Sequence, residues 1–123
     1  MRILLALALT AAVFTATPAL ACKCMPDDGT LAQKVMNDPS ISVADVLVRA
    51  VNTRTHITVM DIKNLHSGGL ASTYVRAKYG QSSCDVRPTP GNTTMLIKNE
   101  PDGTYSLVGD CERAAVIQHL KGQ

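Results

Sequence analysis

Alternating apolar and polar positions predict five short β-strands between residues 44 and 108. The first two predicted strands are separated by a short polar turn and form an antiparallel hairpin. The last two flank Asp102-Gly103, a dipeptide that favours a tight hairpin turn. The five predicted strands cover residues 44–51, 56–62, 72–79, 94–98 and 105–108.

Apolar positions at helical spacing predict one short helix before the strands and another after them. The first begins near Thr30 and has Leu31, Val35 and Met36 on one face. The second covers residues 112–120. Five short strands with two flanking helices predict a mainly β domain, a small closed or half-closed barrel, because closure removes the strand edges that an open sheet must protect.

The first 21 residues have a different pattern from the rest of the chain. Residues 1–21 contain one charge, Arg2, followed by a continuous apolar stretch and small residues just before Cys22. This pattern predicts a signal peptide of the short bacterial type, cleaved before Cys22, and a single exported domain over residues 22–123. The apolar stretch is too short to span a bilayer, so we expect a periplasmic or secreted protein without stable membrane insertion.

Composition and charge argue against several classes of function. The formal charge is +2, and removal of Arg2 with the leader leaves +1, which predicts no nucleic-acid partner because such binding needs a concentrated positive field. The chain has no Gly-x-Ser-x-Gly motif and no phosphate-binding glycine loop, so we expect no enzyme. His56, His66 and His119 share no ligand spacing, so no metal of its own and no cofactor are predicted.

Four cysteines remain after the leader, at positions 22, 24, 84 and 111. An even number of cysteines in a small exported domain predicts two disulfides, and four cysteines allow three pairings. Lipidation of Cys22 is one alternative. A Cu(I) site formed by Cys22, Cys24 and Met25 is another, because soft sulfur ligands select Cu(I).

Several of these features together resemble a known family. A leader ends directly before a Cys-x-Cys-x-Pro start at residues 22–26, and the first strand contains Ala-Asp-Val-Leu-Val-Arg-Ala at 44–50. Ser83-Cys84 follows the third strand, and the Asp102-Gly103 hairpin leads to Cys111. In their order and spacing these features resemble the netrin-like family, whose best-known members are the tissue inhibitors of metalloproteinases. The likeness covers nearly the whole chain after the leader.

The resemblance implies a five-stranded OB-type (netrin-like) barrel with Cys22 bridged to Cys84 and Cys24 bridged to Cys111. In the family's inhibitors, the free α-amine and the carbonyl of the first cysteine chelate the catalytic zinc of a target protease. A catalytic zinc keeps an open coordination position that such a ligand can occupy. The expected function is therefore that of a non-catalytic protein that inhibits a zinc metalloprotease.

Carried over to this sequence, the resemblance implies that Cys22 chelates the target's zinc and that Lys23 enters the target's primary specificity pocket. The residues expected to flank that contact are Met25, Pro26, Ser83 and Asp85. A second hypothesis is a non-inhibitory periplasmic or cell-surface interaction module, in which the N-terminal disulfides are purely structural.

Overall fold

The computed structural model describes residues 23–25 and 28–122, and every structural statement below concerns these residues. The predicted signal peptide, Cys22 and Pro26 lie outside them. In chain order the elements are α1 (Thr30–Met36), β1 (Ile41–Asn52), β2 (Ile57–Ser67), β3 (Tyr74–Lys78), β4 (Gly91–Asn99), β5 (Tyr105–Leu107) and α2 (Asp110–Lys121). All five predicted strands and both predicted helices are confirmed, although β1, β2 and β4 are longer than their predicted segments.

The five strands form a closed barrel in the order β1-β2-β3-β5-β4. β1 pairs antiparallel with β2 on one side and with β4 on the other, and β4 also pairs antiparallel with β5. The two predicted hairpins, β1–β2 and β4–β5, are therefore confirmed. β2 also pairs antiparallel with β3. The fifth pairing, between β3 and β5, is parallel and short, with Ala77 opposite Tyr105 and Lys78 opposite Ser106.

The barrel interior is filled by aliphatic side chains and methionine. Met60 and Met95 are the largest side chains that are fully buried. Since the chain has no Trp and its one Phe is Phe14, two unbranched methionines fill the volume that aromatic rings fill in many small barrels. The interior cluster consists of Ala44, Val46, Val48, Met60, Val75, Ala77, Val86, Met95 and Ile97.

A second apolar cluster lies outside the barrel, where both helices cover the β1–β4 surface. It joins residues of α1 and α2 to the outward-facing side chains of the two strands. Because the sheet is covered on both faces here, the first four residues of β1 are all buried and show no alternation. The cluster consists of Ala32, Val35, Ile41, Val43, Leu96, Ala115 and Val116.

A series of polar side-chain contacts runs across the outer surface of the barrel from α2 to β2. Arg113 of α2 donates to the Thr94 carbonyl at 2.8 Å and to the Thr93 hydroxyl at 2.6 Å. The Thr94 hydroxyl donates to Asp45 at 2.7 Å, and His66 Nε2 lies 3.0 Å from the same carboxylate oxygen. The contacts therefore link α2 through β4 and β1 to β2.

Asp45 should make the stability of this surface dependent on pH. The hydrogen bond from the Thr94 hydroxyl, and then that from His66, lowers the pKa of Asp45 below its ordinary value. A carboxylate with a lowered folded pKa stabilises the fold above its unfolded pKa, and this stabilisation is lost as the pH falls through the folded pKa. We therefore expect Asp45→Asn to be less stable than the wild type at pH 6, and the difference to shrink below about pH 4.

Urea unfolding of both proteins between pH 6 and pH 2 measures this difference. Thr94→Val removes the largest cause of the lowered pKa of Asp45 and should reduce the acid dependence of stability. The rest should remain, because His66 still acts on Asp45 and the pKa values of Asp28, Asp38 and Asp102 are also lowered. The same acid dependence in all three proteins would contradict the assignment to Asp45.

Candidate functional site

The segment 23–25, which precedes α1, is joined to the start of α2 by a disulfide. Cys24 pairs with Cys111 across a sequence separation of 87, with the two Cα atoms 5.2 Å apart. This confirms the Cys24–Cys111 pairing that the resemblance implied. α2 begins at Asp110, two residues before its predicted start, so Cys111 lies in the first helical turn. The segment is therefore fixed at the N-terminal end of a helix.

The loop around Cys84 meets α2 at the same place. The backbone N–H of Asp110 donates to the Cys84 carbonyl at 2.8 Å. Cys84 is itself disulfide-bonded, and its predicted partner Cys22 lies outside the described residues, so the Cys22–Cys84 pairing stays a prediction. Residues 23–25 and 82–85, which both approach the first turn of α2, are called the ridge below.

The ridge presents mostly exposed side chains. Lys23 is exposed, Met25 is 84% exposed, and Ser83 is exposed on the neighbouring loop. A methionine with this exposure contributes nothing to the core and offers a flexible apolar contact for a partner. Three of the residues expected to contact a target therefore belong to one exposed surface, while Cys22 and Pro26 lie outside the described residues.

Asp85, another expected contact residue, faces its own loop. It is half-buried, and its carboxylate accepts hydrogen bonds from the Ser82 backbone N–H at 2.9 Å and from the Ser82 hydroxyl at 2.8 Å. The same carboxylate lies so close to Gly80 that a β-carbon at position 80 would overlap it. Asp85 thus holds the shape of the loop that carries Ser83.

Gly80→Ala is expected to displace the Asp85 carboxylate and break both of its hydrogen bonds to Ser82. We expect a loss of about 1 kcal/mol in stability and faster amide exchange in residues 82–85, because hydrogen bonds to a charged acceptor are lost. Urea unfolding and hydrogen exchange measure these effects. Gly69→Ala is the matched control, since nothing lies within 4 Å of a β-carbon there.

Asp85→Ala provides the second arm of a double-mutant cycle with Gly80→Ala. If the Asp85 carboxylate is what the new methyl group displaces, the double variant should be no less stable than Asp85→Ala alone. Additive losses in the double variant would contradict this explanation.

A cleft of about 430 Å³ lies beside the ridge, between the loop that follows Cys84 and the first turn of α2. Its lining includes Ser83, Asp85, Asp110 and Arg113. Asp110 Oδ1 lies 3.7 Å from Arg113 Nη1 on the same helix. Sequence analysis missed Asp110 and Arg113, because only the tertiary packing of α2 brings them beside the loop; Cys111 between them was the available signal.

The described part of the chain has neither a metal-binding cluster nor a membrane-spanning helix. Within residues 23–25 and 28–122, no group of three or more His, Cys, Asp and Glu side chains could hold a metal ion. No helix in these ranges is long and apolar enough to cross a bilayer. The copper alternative is wrong for Cys24, whose sulfur is in a disulfide and is not a thiolate ligand.

Comparison of the chain with protein-family models, with curated proteins and with solved structures found no match. The class that the structure defines is a mainly β protein with a closed five-stranded barrel, two helices and a disulfide that joins the exposed segment 23–25 to α2. A more specific assignment rests on the motifs of the sequence and on the geometry of the ridge.

Proposed function

We propose that this chain is an exported, non-catalytic binding protein with an OB-type, netrin-like barrel, and that its ridge inhibits a zinc metalloprotease. The α-amine and carbonyl of Cys22 would chelate the target's zinc after removal of the leader. The strand order β1-β2-β3-β5-β4 supports the OB-type assignment, since an OB-fold is a five-stranded Greek-key barrel.

The observation that carries the proposal is the fixed and exposed segment 23–25. Chain termini are usually poorly ordered unless they are tied down. Here the Cys24–Cys111 disulfide ties the segment to α2, while the flanking Lys23 and Met25 stay exposed. A binding segment that is ordered in advance loses less conformational entropy when it binds, so the tether favours a binding role.

The proposed zinc ligand is chemically reasonable at neutral pH. The pKa of an α-amine is ordinarily about 7.7 to 8.0, so the amine can lose its proton at modest cost when it binds a metal. A catalytic zinc with three protein ligands has an open fourth position for an amine nitrogen. One amine and its adjacent carbonyl oxygen would displace the water that the protease activates.

Lys23 restricts the kind of protease that fits. Its side chain is exposed, so the ammonium group is hydrated in the free protein. Burying that group in an apolar pocket without a partner costs several kcal/mol. We therefore expect a target whose primary specificity pocket contains a carboxylate.

The non-catalytic and exported parts of the proposal are supported by the cysteines. Cys24, Cys84 and Cys111 are all in disulfides, so none of them is a thiol nucleophile. Disulfides persist in oxidising compartments, which fits export to the periplasm or to the outside of the cell.

The test compares two proteins, one that begins at Cys22 and one with a single alanine added before Cys22. If the Cys22 amine binds the zinc, the added residue should weaken inhibition of a susceptible metalloprotease about a hundredfold, or about 2.7 kcal/mol. The control carries the same alanine after Gln123 and should inhibit as the unmodified protein does. Equal inhibition constants for the two N-terminal forms would refute the chelation mechanism.

A non-inhibitory interaction module is the second candidate, and Asp85 favours it. Its carboxylate accepts hydrogen bonds from Ser82 of its own loop, so it is less available as the target contact that was expected of it. This candidate predicts no inhibition across a panel of metalloproteases, with or without the added alanine. A submicromolar inhibition constant against any of them would refute it.

A further inference from the structure

The barrel has an open stretch at the seam between β3 and β5. Only two residue pairs join these strands, and the first pair is Ala77 with Tyr105. β3 begins three residues earlier, at Tyr74, while the chain before β5 turns away at Gly103, where φ is +86°. A groove of about 390 Å³ remains between the start of β3 and this turn.

The direction of the backbone groups of β3 follows from its pairing with β2. The Thr73 carbonyl accepts a hydrogen bond from the Ile62 N–H at 2.9 Å, and the Tyr79 N–H donates to the His56 carbonyl at 3.0 Å. In an antiparallel pair, alternate residues exchange hydrogen bonds with the partner strand. The odd-numbered residues of β3 therefore bond to β2, and the even-numbered residues direct their backbone groups toward β5 and the groove.

Tyr74 and Arg76 are the even-numbered residues that precede the first β3–β5 pair. Within the part of the chain that the structure describes, the N–H and C=O of Tyr74 and the N–H of Arg76 have no strand partner on the groove side. Unpaired strand edges of this kind act as templates for another extended chain.

We propose that this edge binds an acidic, extended peptide segment of a partner protein by strand addition along Tyr74–Arg76. Arg76 and Lys78 are exposed on β3, and among the described residues neither forms an ion pair within 4 Å. Hydrogen bonds from Thr104, and to a lesser extent Lys78, lower the pKa of Asp102 on the neighbouring turn, so Arg76 is the cation on which the charge argument mainly depends.

The neighbours of Arg76 and Lys78 on β2 are the half-buried Val59, opposite Arg76, and Ile57, opposite Lys78. Side chains alternate between the two faces of a strand, so acidic side chains of the added strand would share the outer face with these cations, and its apolar side chains would share the inner face with the buried Val75.

The same charges argue against a second copy of this chain as the occupant. Two copies joined edge to edge through β3 would bring Arg76 and Lys78 close to the same residues of the other copy. Like charges placed opposite each other across a strand pair are destabilising. None of the groove residues belongs to the ridge, so this surface is a second interaction site, independent of the proposed function.

The probe for this site is an octapeptide of alternating glutamate and valine, blocked at both ends, titrated into the isotopically labelled protein with intact disulfides. We expect saturable chemical-shift changes centred on the Tyr74 and Arg76 amides. Arg76→Glu should weaken binding at least tenfold, which is about 1.4 kcal/mol. Lys63→Glu makes the same charge change at an exposed position of β2 outside the β2–β3 pairing and should leave affinity within about twofold.

A second peptide separates strand addition from simple charge attraction. Methylation of the backbone nitrogens that face β3 removes the donors needed for strand pairing and leaves the charges unchanged. Loss of binding by the methylated peptide is the expected result. Equal binding of the two peptides, tighter binding of a single-stranded oligonucleotide of equal charge, formation of a dimer through the edge, or no binding at millimolar peptide would each overturn the proposal.

Discussion

Replacing Cys24 and Cys111 together by serine is expected to lower the free energy of unfolding by about 4 kcal/mol. The disulfide joins residues separated by 87 positions, so its loss releases a long loop in the unfolded chain. Domains of this size are typically stable by only about 5 to 15 kcal/mol, so a loss of about 4 kcal/mol removes a substantial fraction of the wild type's stability. Urea unfolding under non-reducing conditions measures the difference.

Ser83→Ala is the matched control for the double variant, because it changes an exposed hydroxyl of the same ridge and leaves every disulfide intact. Its stability should lie within about 0.5 kcal/mol of the wild type. Hydrogen exchange should also show faster exchange in the first turn of α2 in the double variant, since Cys111 lies there. A loss below about 1 kcal/mol would mean that the disulfide does little to constrain the unfolded chain.

The strands were predictable where only one face of the sheet is covered. Val46 and Val48 point into the barrel and alternate with less buried neighbours, which is the pattern that sequence analysis detects. β1 begins at Ile41, three residues before its predicted start at Ala44. Ile41, Ser42 and Val43 are buried, as Ala44 is, so these positions show no alternation. The two helices cover the outer face of β1 at these residues, so side chains on both faces are buried and the sequence lacks the two-residue period of a half-exposed strand.

Closure of the barrel could not be deduced from the pattern alone. Adjacent strands joined by short turns predict hairpins, and both predicted hairpins are present. The parallel contact of β3 with β5 joins strands that are far apart in the sequence and depends on two residue pairs, Ala77 with Tyr105 and Lys78 with Ser106. No local turn signal encodes such a contact, so the sequence was compatible with both a closed and a half-closed barrel.

The candidate site likewise has features that could be predicted from the sequence and features that depend on tertiary contacts. The Cys24–Cys111 pairing came from the family resemblance, since the residues alone allowed three pairings. The role of Asp85 came from the structure, because its carboxylate packs against Gly80 and accepts hydrogen bonds from Ser82 within an irregular loop. A residue can thus lie in an exposed ridge and still serve mainly to shape it.

The barrel interior depends on Met60, and Met60→Ala is expected to lower the free energy of unfolding by about 3 kcal/mol. Met60 is 0% exposed on β2, opposite Val48 of β1 and Val75 of β3. The surrounding side chains are mostly Val and Ala, which are too short to reach across the volume that the truncation would leave. The cavity should therefore persist, and urea unfolding measures its cost.

Two other methionine substitutions separate the loss of volume from the chemistry of the residue. Met60→Leu keeps most of the buried volume and should cost less than about 1.5 kcal/mol. Met25→Ala removes the same atoms as Met60→Ala from a side chain that is 84% exposed, so its stability should match the wild type within about 0.5 kcal/mol. If the ridge binds a partner as proposed, Met25→Ala should instead weaken that binding. A stability loss in Met60→Ala as small as that in Met25→Ala would mean that the barrel repacks around the missing side chain.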